Sequence, residues 1–434
     1  MKGFINKFFQ TCFKQLASRS ANISLYFLAS IAQVVVGLVL SPILAVHLNH
    51  RDFAIVGYFN SFNLLFVPIV GFTFASYYSK TYFRIGAEQR RRLRETLVSA
   101  QLGLGSIALL IVLGLFWLYS NIYDSGFSFY PYAFLAYGGM VFSNIYSFYL
   151  VDLRLSKRAK NFLSVSMAHH VLYIAAMITF CAMLKYGAAG SLFATTLVSI
   201  AMGAYCYRKM VRKFRVDKQI LLDAFSFCWP LILAGCVHYF SSGVDKAMLA
   251  GIKDDYNMGL YSVAMRFASY IHMFYHAVTM TIEPDIYQSI AQKRYKRLLY
   301  VILGLFAINA AIVAIFVLFT PLILQVLTAG RYTEADTLTR IISLRNITAS
   351  LFFITAIIIN ALGYSKVTLV NRILSAVLVT AMFRWLISKY TFTGAAWGQV
   401  LSYVLMTIFS LLFVGYKFLR RKKQILEASN VREG

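Results

Sequence analysis

Six basic residues, Lys246, Arg266, Arg340, Arg345, Arg372 and Arg384, interrupt long apolar stretches of this sequence, and one acid, Asp245, stands among them. A charge in such a stretch is costly to bury and marks a functional site by default. A structural ion-pair network would tend to balance its signs. Six cations against one acid call instead for an anion. Arginine suits phosphate, because its planar fork donates parallel hydrogen bonds. A phosphate-bearing ligand is therefore favoured over a purely structural role.

Depth separates the six. Arg266 lies about ten residues inside its apolar segment, roughly 15 Å at 1.5 Å per residue, and Arg345 stands at a similar depth. Both fall near the middle of a ~30 Å hydrocarbon core and must face protein or water. Arg340, Arg384 and Lys246 are nearer segment ends, where snorkelling is the default, and Arg372 is intermediate. Neighbouring residues on a helix do not face each other. Asp245 is therefore expected to pair with an arginine of another helix in the same half, not with Lys246.

A polar stripe, His272, His276, Thr279 and Glu283, repeats at helical spacing. Histidine with glutamate is the usual material of a proton relay; cavity lining accounts for the stripe equally well. His169 and His170 are adjacent, diverge on a helix, and do not have the spacing of a metal site. Pro42, Pro68 and Pro230 are expected to interrupt their helices, as hinges or as static kinks.

These residues must be positioned by membrane helices. The 434-residue chain is 59% hydrophobic and only 13% charged, far from the balance of a soluble domain. About twelve apolar segments are long enough to span a bilayer. With the N-terminus inside, 31 of the 42 Lys and Arg fall on the inner side, five on the outer side and six within segments. That asymmetry places both termini in the cytoplasm and explains the net charge of +26 without nucleic acid. The five cysteines suggest neither a disulfide framework nor a zinc site, and no cleavable signal peptide is expected. The start, "MKGFINKFFQTCFKQLASR", spaces Phe4, Ile5, Phe8, Phe9, Cys12, Phe13 and Leu16 like one face of a helix lying on the membrane surface.

A faint duplication is present. "RDFAIVGYFNS" from Arg51 matches "KDDYNMGLYSV" from Lys253, and "KYGAAGSLF" from Lys185 matches "KYTFTGAAW" from Lys389. "LSK" from Leu155 matches "YSK" from Tyr364, and the three offsets are 202, 204 and 209 residues. An even number of helices per half makes these parallel repeats about an axis along the membrane normal. The expected fold is an all-α membrane protein of about 12 helices in two six-helix lobes. Its organisation is a surface helix over 1–21, a lobe over 22–210, a linker over 211–221, a second lobe over 222–418 and a basic tail over 419–434.

"DKAMLAGIKDDYNMGLYSVAMRF", Asp245 to Phe267, resembles the junction of the seventh and eighth helices in polysaccharide flippases of the multidrug/oligosaccharidyl-lipid/polysaccharide exporter superfamily. The acid–base pair is Asp245-Lys246, the following step Gly259-Leu260-Tyr261-Ser262, and the basic residue Arg266. The resemblance implies a flippase moving undecaprenyl-pyrophosphate-linked oligosaccharide repeat units to the outer leaflet of a bacterial inner membrane. The path would be a cationic central cavity with alternating access. In that reading Arg266, Arg345, Arg372 and Lys246 bind the pyrophosphate, Asp245 is the ion-pairing acid of the cavity, and His272, His276 and Glu283 are candidates for a proton relay. Neither cofactor, metal nor enzymatic activity is expected; the class admits a coupling ion, proton or sodium. Expected partners are the lipid-linked oligosaccharide, membrane lipids, a polysaccharide polymerase and chain-length machinery.

Rival readings exist. A drug or metabolite exporter of the same superfamily would place acids, not arginines, in the membrane. A polysaccharide polymerase would carry a long outer loop, and a major-facilitator carrier a motif that "RIGAEQRRRLRE" from Arg84 does not match.

Overall fold

The computed structural model describes residues 21–292, 294–361 and 365–433. Side chains at 276–278, 280–285, 365–369 and 414–433, among others, are outside that description. The expected surface helix at the N-terminus, and Tyr364 of the third repeat match, lie outside the described residues.

The chain is helical throughout: α1 (Ala21–His47), α2 (His50–Ser61), α3 (Asn63–Gly71), α4 (Phe74–Tyr82), α5 (Ala87–Ile122), α6 (Tyr132–Tyr137), α7 (Met140–Leu155) and α8 (Ala159–Met177), which runs on as a π-helical turn over Ile178–Met183. There follow α9 (Gly187–Met210), α10 (Lys218–Ser242), α11 (Val244–Ala250), α12 (Asp255–Ala291), α13 (Tyr295–Leu327), α14 (Asp336–Ala361) and α15 (Ser365–Glu433). Nine spans among the described residues are long and apolar enough to cross a membrane. The last of these, Val370–Phe413, is two crossings, because α15 breaks at Thr391. With α1 and α12 the expected twelve are present.

Two compact units result, Met1–Cys236 with Val326–Arg331, and Val237–Gln325 with Tyr332–Gly434. In the first, aromatic rings of α3, α5 and α6 interlock with Phe62, which joins α2 to α3: Phe62 meets Phe116 at 4.9 Å and Phe66 meets Tyr137 at 5.0 Å. Between lipid-embedded helices such packing, not water exclusion, supplies the attraction.

Pro42, Pro68 and Pro230 lie inside α1, α3 and α10, which continue past them. The sharp break in the second crossing comes at Phe72 and Thr73, both at φ 50°. Side chains take up the carbonyls freed there, as broken membrane helices require. Gln101 Nε2 donates to the Val70 carbonyl at 2.7 Å.

The duplication is visible in the backbone. Gly187 (φ 54°) and its repeat mate Thr391 (φ 50°) are both left-handed. Three residues on, a Cβ on Gly190 would lie 2.7 Å from the Phe180 carbonyl oxygen, and one on Gly394 2.1 Å from that of Leu386. Each repeat thus turns on a left-handed residue, then brings a glycine against the carbonyl of the preceding crossing.

Candidate functional site

Asp245 opens α11 and has no exposed surface. Its Oδ2 accepts from Tyr261 Oη on α12 at 2.5 Å and from Gln399 Nε2 on α15 at 2.9 Å. Gln399 turns its Oε1 to Arg345 on α14, whose Nη1 donates at 3.0 Å. The same Nη1 lies 3.7 Å from Met265 Sδ. One short network therefore ties four helices of the second unit.

The expected ion pair is thus corrected. Among the described residues Asp245 makes no ion pair with an arginine; Gln399 stands between acid and cation. An amide can serve both at once, because it carries a donor and an acceptor. Asp245 Oδ1 is buried without a hydrogen bond.

Cations gather around this network. Lys246 on α11 is within electrostatic range of both Asp245 and Arg345. His238 on α10 feels the charges of both Arg372 and Arg345, and its Nδ1 lies 3.5 Å from Ser242 Oγ. Lys246, Arg345 and Arg372 are each half-buried. Arg372 has no hydrogen bond among the described residues and stays available to a ligand. Three cations thus act on this network or on its neighbour His238, and Asp245 is the acid bonded into it.

Arg266 follows Met265 on α12. Its Nε donates to Tyr270 Oη one turn along α12, at 3.1 Å. Arg340 pairs with Asp336 at 2.9 Å and Arg384 is exposed, as expected of residues near segment ends. In the polar stripe, His272 lies against Phe353 with ring centroids 5.7 Å apart. Thr279 bonds to its own helix at the Tyr275 carbonyl. The side chains of His276 and Glu283 lie outside the described residues.

Gln399 was not singled out from the sequence. Its signal was available: a lone amide in the apolar run "GAAWGQVLSYVL". Asp245 is also not the sole buried acid. In the first unit Asp152 is 6% and Glu95 2% exposed. Asp152 accepts from Tyr78 Oη at 2.5 Å and from Arg94 Nη1 at 3.3 Å, and Glu95 pairs with Arg91 at 3.0 Å. Both sit close to helix ends, among the basic residues of the loops, and so read as loop charges.

The sequence profile of the polysaccharide biosynthesis protein family matches residues 20–290, and the MatE profile matches residues 230–386. No curated protein matches. Among solved structures, the lipid II flippase MurJ in an inward closed conformation is similar with a TM-score of 0.70 at 14% identity, covering 91% of this chain and 88% of that one. An inward-facing multidrug resistance MATE family transporter of the MOP superfamily gives a TM-score of 0.69 at 14% identity, covering 89% and 95%. A MOP superfamily transporter from Pyrococcus furiosus, described as having a binding pocket of reverse polarity, gives 0.62 at 14%, covering 91% and 95%. Matched by its profile over more than half its length, and folded like the MOP superfamily transporters, the chain belongs to the polysaccharide biosynthesis protein family.

Proposed function

We propose that this protein flips undecaprenyl-pyrophosphate-linked oligosaccharide repeat units from the cytoplasmic to the outer leaflet of a bacterial inner membrane, by alternating access. The observation that carries the reading is the convergence of Lys246, Arg345 and Arg372 with a single acid, Asp245, in the second unit. Two phosphates on one lipid carry enough negative charge to offset that excess, and guanidinium forks match their geometry. The family is one of polysaccharide biosynthesis, and a lipid II flippase shares the fold. Arg345 and Arg372 hold the pyrophosphate in this reading and Lys246 adds charge at its edge. Arg266, held by Tyr270, serves a different stage of passage.

The test is a deletion strain carrying labelled sugar precursors. Loss of the protein should leave single lipid-linked repeats on the inner leaflet, and Arg345→Ala should fail to restore export while accumulating to normal levels. Single repeats reaching the outer leaflet unpolymerised would indicate a polymerase instead. Normal export by Arg345→Ala would remove the anion site from the mechanism. A multidrug exporter is disfavoured by charge: the exporter reading needs acids for its cationic cargo, and this network is cationic.

A further inference from the structure

The two repeats differ at one place, and in the second a cavity lies there. In the first unit Asp52, near the start of α2, reaches across to the start of α9, and its Oδ1 accepts from the Ala188 amide at 2.8 Å. The approach depends on Gly187: a Cβ there would lie 2.6 Å from Asp52 Oδ1. The repeat mates of Asp52 and Gly187 are Asp254 and Thr391. Thr391 keeps the left-handed backbone, at φ 50°, although it is β-branched and ill suited to it. Asp254 does not cross over. Its Oδ1 accepts from the Asn257 amide at 3.0 Å and its Oδ2 from Asn257 Nδ2 at 2.6 Å, both on its own helix.

In the second unit a cavity of about 240 Å³ lies beside Asp254 and Thr391, lined also by Asn257, Glu334, Leu338, Phe392 and Thr393 among others. Glu334 accepts a hydrogen bond from Tyr256 Oη at Oε2. Leu338 and Phe392 are buried and give the cavity an apolar side. A non-glycine residue held at positive φ is the kind of strain that persists at ligand sites.

We infer that this cavity is a docking site for a single sugar ring. Two carboxylates repel a phosphate or other anion. They do not make a cation site either: a hard cation takes six or more oxygens, and here Asp254 is already engaged through both oxygens by Asn257. A neutral polyhydroxylated ring fits the lining. Its hydroxyls donate to Glu334 and accept from Thr393 and Asn257, while its C–H face packs on Phe392 and Leu338. By the charge asymmetry of the loops, residues 251–254, 328–335 and 389–393 lie on the outer side. A sugar held there is one that has completed its passage. That last step rests on the proposed function; the site itself does not.

The test uses the full chain in lipid nanodiscs, since maltoside detergents would themselves present sugar rings. Saturation-transfer NMR is recorded with methyl α-D-glucopyranoside and with methyl N-acetyl-β-D-glucosaminide. Wild type should transfer saturation to ring protons. Glu334→Gln and the space-filling Thr393→Phe should each weaken binding at least about tenfold, and Arg345→Ala should leave it unchanged. Absence of transfer to either glycoside with folded wild type would overturn the inference. So would displacement of the glycosides by calcium or sodium, which would mark a cation site. If the glycosides bind while Arg345→Ala still exports normally, the transport reading falls and this site stands.

Discussion

Gln399 donates to Asp245 and accepts from Arg345, so a fully buried carboxylate and a half-buried guanidinium are joined through one neutral amide. A direct contact would lock the arginine to the acid. Through an amide the acid positions the cation and leaves most of its fork free for a ligand. Gln399→Leu should remove both bonds at a fully buried position and cost about 1–3 kcal/mol. Export should fall with it. In a double-mutant cycle, Gln399→Leu and Arg345→Ala should show coupling of about 0.5–3 kcal/mol in thermal or denaturant unfolding. Additive losses would mean that the two residues act independently.

Asp245 is the counter-charge of the site, and removing its charge while keeping its shape separates binding from turnover. Asp245→Asn leaves Tyr261 Oη and Gln399 Nε2 with an acceptor at that position. The attraction that Asp245 exerts on the nearby cations is then lost, and at an effective dielectric of about 20 such a term amounts to a few kcal/mol at contact. Inorganic pyrophosphate should bind the variant in nanodiscs about tenfold more tightly by calorimetry, while export slows because release is harder. Weaker binding by the variant would contradict the role given to Asp245.

The twelve crossings were legible because lipid demands long apolar runs, and the loop charges oriented them. The charged members of the network were legible, because charge inside an apolar run is conspicuous: Asp245 and Arg345 belong to one hydrogen-bonded network, with Lys246 in electrostatic range of both. What joins them was not. Gln399 and Tyr261 are neutral, and a neutral side chain in a membrane helix reads equally as packing. Arg266 is as deep as Arg345, and its partner Tyr270, one turn along α12, is likewise a neutral residue that reads as packing. The break after Gly71 escaped for a similar reason. Gln101 and Asn144, residues of other helices, meet the chain there.

Gly394 offers a check of the packing that the two repeats share. A methyl group there would meet the Leu386 carbonyl oxygen at 2.1 Å, a backbone atom that cannot step aside as a side chain could. Gly394→Ala should therefore force the two halves of α15 apart, with a cost of about 1–3 kcal/mol. Its mate Gly190→Ala, at 2.7 Å from the Phe180 carbonyl oxygen, should cost less. Melting temperatures in one detergent would rank them; the reverse order would mean that the second repeat relaxes more easily than the first.

Asp217, in the segment that leads into α10, makes two kinds of contact. Its Oδ2 accepts from Arg92 Nη2 on α5 at 2.6 Å, and its Oδ1 accepts from the amides of Gln219 at 3.1 Å and Ile220 at 3.4 Å. The Ile220 amide holds its carboxyl below the usual carboxylate range; desolvation opposes it, and the Arg92 charge and hydrogen bond and the Gln219 amide add to the lowering. A carboxyl with a depressed folded pKa contributes stability that is present above its unfolded value, about 3.9, and is lost as pH falls through the folded value. Asp217→Asn should accordingly melt below wild type at neutral pH, with the gap closing as pH drops below about 4. Raising salt should narrow it too, since Arg92 is largely exposed and its charge is screened. A gap that persisted at low pH would assign the stabilisation to the shape of the cap at the start of α10 and not to its charge.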